Sequence, residues 1–506
     1  MTNENNPAHR FLPRIQEELD KLPLTNAQKE RAIPAILRNV GFLDTVNGKY
    51  TDGGKLNDDS GFFDFADKIQ AVVNHFKTNG LALAQYAEAA SKQPAVFCLS
   101  PQTVVDNTEG MVRRFSGSDL KTKDYLQAAL RQPQLFTQNV TTIASNIEDV
   151  VNHFATDGLT TKEYLQAALK RPSLFCQSSS TITANVEETV RRFADDGLIA
   201  SDYLQAALKQ PPLFSQSPTT IAANIEQVVK HFAANGLTTR SYLSAATKQP
   251  SLFCQSPATI ISNIERVVEH FASEGLATTN YLKSAIKRPQ LFIQSPTTVI
   301  TNIEQVVEHF AANGLTARGY LSAAIKQPSL FCQSPATITS NVERVVERFV
   351  RDGLRLDNYL QSAIRQPSLF CQSPTTIARH IATVLEFADQ GIFHPPGGLR
   401  NNAHAATIDF LLKNPGIITL ADENFRLREV HQRMTHGPTD SSLLTKRRSY
   451  VEQELMRHLG HKNPAQPVPS GGFVAGSAEP TEEEARRFVL RALMHAGYIK
   501  GGSLER

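Results

Sequence analysis

Between Leu213 and Ser251 the apolar residues Ile221, Ile225, Val228, Val229 and Phe232 fall at offsets 0, 4, 7, 8 and 11, with polar or small residues between them. That spacing places them on one stripe of a 3.6-residue helix. Ser217 followed by Pro218 predicts the start, through an N-cap oxygen and a first residue whose φ is already helical. Gly236 predicts the stop, because glycine adopts the left-handed conformation without steric penalty and lets Leu237 fold back on the last turn. A second set, Tyr242, Leu243, Ala245 and Ala246, follows a cap at Thr238 or Thr239 and ends before Pro250, which has no amide with which to continue a helix. Ser251, Leu252 and Phe253 then form a short turn or single 3₁₀ turn. The pattern predicts two helices and a tight apolar connector.

The same pattern returns every 39 residues. The connector phenylalanine recurs at Phe97, Phe136, Phe175, Phe214, Phe253, Phe292, Phe331 and Phe370. The first-helix aromatic recurs from Phe76 to Phe349 and the second-helix tyrosine from Tyr86 to Tyr359, all in step. A fixed period of this size marks a solenoid, whose repeats bury their apolar faces only against neighbours. The expected fold is all-α: a right-handed α-solenoid of about nine 39-residue two-helix repeats with helical caps.

Five segments follow from where the period holds. Residues 1–56 read as an N-terminal helical cap, amphipathic from Leu12 to Asn39 with a break near Leu22–Thr25. The repeat region spans 57–418: a degenerate repeat, seven full repeats over 96–368, and an eighth from Leu369 that carries the insertion HPPGGLRNN. Residues 419–460 read as a C-terminal helical cap with helices near 423–435 and 440–460. Residues 461–479, rich in Pro, Gly and Ser, read as a flexible linker, and 480–506 as a last helix between Pro480 and Gly497.

Chemistry is sparse. There is no glycine-rich phosphate loop, GxSxG, HExxH or CxxC, and His153, His231, His270 and His309 are copies of one repeat position, which a single active site does not need. No enzymatic activity, cofactor or metal is expected. Cys98, Cys176, Cys254, Cys332 and Cys371 share one position and lie whole periods apart. Helices packed about 8–10 Å apart hold such positions beyond the roughly 7 Å reach of a disulfide, so free thiols and a reducing compartment are expected. With no run of about 18 apolar residues, no membrane span is expected. The N-terminal stretch mixes acids and bases and lacks an apolar core, so it reads neither as a secretory signal nor as a transit peptide.

One repeated feature has chemical meaning. A cation stands two residues before the proline of each repeat: Lys92, Arg131, Lys170, Lys209, Lys248, Lys287, Lys326 and Arg365. Four and eight residues earlier, on the same helical face, stand further polar residues, among them Lys123, Lys162, Arg240, Lys283 and Arg318. Periodic cations suit a polyanion, whose phosphates are periodic and whose counterions are released on binding. Two other readings stay open at this point. A lysine in the last turn of a helix is favoured by the helix dipole alone, and a repeat surface also suits a protein-binding scaffold, including a bacterial effector that recognises a host protein. Residues 96–368 hold 25 Lys and Arg against 23 Asp and Glu, 25 − 23 = +2, so a positive field requires the repeated glutamates Glu148, Glu187, Glu226, Glu265, Glu304 and Glu343 to face elsewhere.

The succession of helix, Gly-Leu, helix, basic residue, x, Pro and Leu-Phe, as in HFAANGL at 231–237 and KQPSLF at 248–253, resembles the mitochondrial transcription termination factor (mTERF) family. The resemblance covers 57–418, about seven tenths of the chain. It implies an α-solenoid that binds double-stranded nucleic acid along a basic concave groove and affects transcription. Duplex DNA rather than RNA is the expected ligand, a protein partner the alternative, a monomer the expected state, and the pre-proline cations the expected contacts. A weaker similarity connects the near-identical repeats to transcription-activator-like effectors, whose unit is shorter and whose Gly-rich loop is not found here. The strict period and the N-terminus differ from organellar members, so the expected setting is a bacterial cytoplasm, or a host cell into which the protein is delivered.

Overall fold

Two helices form in every repeat that the computed structural model describes, joined by a tight turn in each repeat up to Leu356–Arg365; the described residues are 7–39, 64–389, 403–416 and 418–419. Those residues contain twenty-two α-helices and no strand. The expected helices near 423–435, 440–460 and 480–497, like the insertion, lie outside the described residues.

The repeat beginning at Leu213 shows how sequence becomes backbone. Its first helix, here called A, is Pro218–His231, and its second, B, is Thr239–Lys248. Helix A ends at Phe232, and a 3₁₀ turn, Ala233–Asn235, intervenes before Gly236 takes φ 85°. The Leu237 amide then donates to the Phe232 carbonyl at 3.2 Å, which folds the leucine back onto the buried aromatic. Seven glycines take this left-handed place, and Asp119 takes it at φ 71° in the remaining repeat. Thr238 caps helix B reciprocally with Ser241, and Thr160 does the same with Glu163 in helix Thr161–Lys170. The connector is a 3₁₀ turn, Pro250–Phe253.

The caps of the A helices depart from expectation. Ser100, Asn139 and Ser178 accept the expected amide, whereas Ser217, Ser295 and Ser334 stand at the N-cap without a side-chain bond. In those three helices the start rests on the proline at N1, whose fixed φ is helical and whose missing amide leaves one donor fewer to satisfy.

Contacts divide the chain into two bodies, Met1–Ile260 and Ile261–Arg506. In the N-terminal body the A helices Phe65–His75, Pro101–Arg114, Val140–His153, Ser179–Arg192 and Pro218–His231 pack on one another in order. The B helices Leu83–Lys92, Thr122–Arg131, Thr161–Lys170, Ala200–Lys209 and Thr239–Lys248 do likewise, so A and B form two layers. The core between them is one buried tyrosine and two buried phenylalanines per repeat, plus aliphatic residues from helix A. Tyr164 meets Phe214 of the next repeat edge-on at 5.4 Å, and Tyr203 meets Phe253 at 5.5 Å. Such edge contacts add about 0.5–1.5 kcal/mol beyond area burial, so each repeat is held chiefly by its neighbour. The helices Pro7–Asp20 and Asn26–Asn39 pack on the first pair, and Glu18 accepts the Ala66 amide at 3.1 Å. That bond replaces the missing side-chain cap at Asp64.

The C-terminal body repeats the plan. A helices Pro296–His309, Pro335–Phe349 and Pro374–Asp389 form one layer; B helices Thr278–Lys287, Ala317–Lys326, Leu356–Arg365 and Ala403–Lys413 form the other. Tyr281 meets Phe331 and Tyr320 meets Phe370 at 5.3 and 5.7 Å. All five cysteines are half-buried free thiols beside the connectors. Burial pushes Cys98, Cys176 and Cys254 up to about 11, away from the thiolate form that reacts.

Candidate nucleic-acid interface

Each B helix presents the same face by the same means. In the helices from Leu83–Lys92 to Leu356–Arg365, Tyr and Leu at the fourth and fifth residues (Ala87 at the fifth in Leu83–Lys92) and the paired small residues that follow are buried, which leaves the second, sixth and tenth residues pointing outward. These are the positions of the expected cations. All thirteen expected contact residues are exposed.

Exposure does not make them equivalent. Lys170, Lys209, Lys248, Lys287 and Lys326 have no hydrogen bond or ion pair from their ammonium groups among the described residues. Three other pre-proline cations are engaged internally. Lys92 pairs with Glu88 at 2.7 Å. Arg131 donates to the carbonyls of Leu169 and Lys170, thereby capping the C-terminus of the following B helix. Arg365 donates to the Leu412 carbonyl at 2.8 Å. For the arginines, the helix-end carbonyls that any helix leaves unpaired explain the contact. The cations at the second and sixth positions divide in the same way. Lys162 lies 3.4 Å from the Asp119 carboxylate, and Arg240 donates to the Asp195 carbonyl at 3.1 Å, both in the turn of the preceding repeat. Lys123, Lys283 and Arg318 have no partner among the described residues.

The A layer holds a set of bonds that the sequence analysis did not pair. His75 meets Glu109, His153 meets Glu187, and Arg192 meets Glu226 at 2.7, 2.6 and 2.8 Å in the N-terminal body. Arg114 is bidentate to Glu148 at 2.7 and 2.9 Å, which holds that carboxyl below the usual range. In the C-terminal body His270 meets Glu304 and His309 meets Glu343 at 2.8 and 2.7 Å. Every pair is 34 residues apart, one period less five. The repeated histidine and the repeated glutamate, read separately as copied surface features, are partners that join successive A helices. The visible signal was the constant difference between two columns of equal period.

Charge is consequently divided by helix type. The eight B helices from Leu83–Lys92 to Leu356–Arg365 contain 13 Lys and Arg against 5 Asp and Glu, 13 − 5 = +8. The eight A helices from Phe65–His75 to Pro335–Phe349 contain 9 against 14, 9 − 14 = −5. A near-neutral chain thus carries its positive charge on the B helices and its negative charge on the A helices, in each body taken by itself. Among the described residues no group of three or more His, Cys, Asp or Glu side chains is placed to hold a metal ion, and no helix is long and apolar enough to cross a membrane.

The family model mTERF matches residues 119–387, more than half of the 506-residue chain. No curated protein matches it.

Proposed function

The chain belongs to the mTERF family, and from that premise we propose that it binds nucleic acid through its B-helix layer, with duplex DNA as the ligand and transcription as the process it modulates. The role is binding without enzymatic chemistry. The observation that carries this reading is the charge division, +8 on the B helices against −5 on the A helices. A protein scaffold has no need for such a division, whereas a polyanion requires it, because its phosphates attract the B layer and are repelled by the A layer. Phosphate contacts of this kind position the ligand, and base discrimination falls to the polar residues between the cations.

Fluorescence anisotropy with a labelled random DNA duplex, from about 50 to 200 mM salt, tests the reading. Affinity is expected to fall steeply with salt, and a triple Lys209→Gln, Lys248→Gln, Lys287→Gln variant is expected to flatten the log–log slope by roughly 0.9 per lysine. Absence of binding at about 50 mM salt, or an unchanged slope in the variant, would favour a protein ligand instead.

A further inference from the structure

The B helices are not uniformly basic, and the difference has a local cause. An acid in the first turn of a helix is favoured by about 0.3–1 kcal/mol through the dipole. Thr122–Arg131, Thr161–Lys170 and Ala200–Lys209 follow that preference, with Asp124, Glu163 and Asp202 at the third helical residue. In the C-terminal body, Thr278–Lys287 and Ala317–Lys326 have Asn280 and Gly319 there and no acid anywhere in the helix. These two helices are neighbours in the B layer. Together they expose Lys283, Lys287, Arg318 and Lys326, none of which is hydrogen-bonded or ion-paired among the described residues. In the N-terminal body Thr239–Lys248 also lacks an acid, and Lys123, Lys170, Lys209 and Lys248 are free among the described residues. Yet no two neighbouring B helices there bring more than two free cations together, because Lys92 and Lys162 face carboxylates and Arg131 and Arg240 face carbonyls.

Resting on the reading that the B layer binds nucleic acid, we propose that Thr278–Lys287 and Ala317–Lys326 form the main docking site for its phosphodiester backbone, through Lys283, Lys287, Arg318 and Lys326. A cation with no internal partner gives up only water and a counterion when it meets a phosphate. A cation that already neutralises Asp119 or completes a helix terminus must exchange that bond, so its net gain is smaller. Two helices have therefore given up a dipole-favoured acid where it would lie beside four free cations, a local loss that a binding surface explains and helix stability does not.

Two variants of equal charge change decide the matter. One converts Lys283, Lys287, Arg318 and Lys326 to Gln; the other converts Lys92, Arg131, Lys162 and Arg240 to Gln. Both are measured in the full chain against the labelled random DNA duplex across salt, with helix content checked by circular dichroism. The first is expected to flatten the slope by about 3.6, four contacts at roughly 0.9 each, and to lose on the order of a thousand-fold in affinity at 0.1 M salt. The second is expected to lose less than a tenth as much. Where a quadruple variant loses helix content, the single variants Lys287→Gln and Lys162→Gln replace it, with expected slope changes of about 0.9 and near zero. Equal losses from the two sets overturn the proposal and leave nucleic-acid binding standing, since the field would then act as a whole. Wild-type protein that does not bind the duplex overturns the underlying reading, and the docking site with it.

Discussion

Removing Ser179–Ser217, one period of 39 residues, joins Ser178 directly to Pro218 and so recreates the Ser-Pro start found in other repeats. The ion pair and the ring contact across the junction have substitutes waiting at the same offsets, whereas the bonds of Ser179 to Asn146 and Asp149 are lost, because Pro218 takes its place. His153 loses Glu187 and meets Glu226; Tyr164 loses Phe214 and meets Phe253. The shortened chain is therefore expected to fold, with the helix signal per residue unchanged. At about 0.7 kcal/mol per residue, the calorimetric unfolding enthalpy should drop by about 27 kcal/mol, while the midpoint moves little, because a repeat protein loses one repeat and one interface of many. The deletion also separates two electrostatic arguments. It removes three Lys and Arg and five Asp and Glu, 3 − 5 = −2, so the net charge rises from +3 to +5. If net charge governs polyanion binding, the salt dependence steepens. If individual pre-proline lysines govern it, loss of Lys209 flattens the slope by roughly 0.9 despite the added positive charge. A deletion one helical turn shorter, about 36 residues, is the control and should cost most of the helix signal. Aggregation of the in-register deletion, or tolerance of both deletions, would refute the claim that adjacency at fixed offsets holds the repeats.

Other consequences are smaller and local. Both imidazole nitrogens of His404 lie 2.6 Å from carboxylates, Asp352 and Asp389, which requires both to donate and raises its pKa. The bonding is then fully present below about pH 6.5 and is lost as pH rises through the raised folded value. Amide protection in Ala403–Lys413, taken relative to the intrinsic exchange rate at each pH, should fall over that range in wild type but not in His404→Gln. Ser178→Ala is expected to lower stability by about 1 kcal/mol in urea unfolding, whereas Ser217→Ala, whose hydroxyl makes no cap bond, should change it by less than about 0.5 kcal/mol. Tyr203→Phe removes a buried hydroxyl that donates to the Leu213 carbonyl at 3.2 Å and is expected to cost about 1 kcal/mol by the same assay.

The helix pair around Ile221 and Tyr242 was legible because three independent signals coincide there: apolar spacing, a left-handed glycine and a proline stop. The inserted 3₁₀ turn between Phe232 and Gly236 was not, since it leaves no period of its own and follows from the need to bring Leu237 back over Phe232. The silent hydroxyl at Ser217 was equally hidden, because the same dipeptide does cap at Ser100 and only backbone geometry separates the two.

For the candidate interface, the cation columns were legible as columns, and their inequality was not. Arg131 and Lys170 occupy one repeat position, yet the forked guanidinium reaches the carbonyls of the next helix while the ammonium of Lys170 makes no such bond. A column in the sequence fixes the face on which a residue lies, but its engagement depends on the residue one period away. In a chain of near-identical repeats that neighbour is known, so the needed quantity is an offset rather than a fold. Once His153–Glu187 gives 34 and Lys162–Asp119 gives 43, the same arithmetic identifies Arg114–Glu148 and the turn beneath Arg240. Applied to Arg318, it points to Gly275, which offers no carboxylate, where Lys162 finds Asp119. Arg240 meets a glycine at the same offset, Gly197, and donates instead to the Asp195 carbonyl, so Gly275 accounts for the missing ion pair of Arg318, and the basic character of Ala317–Lys326 is set in part by what its neighbour lacks.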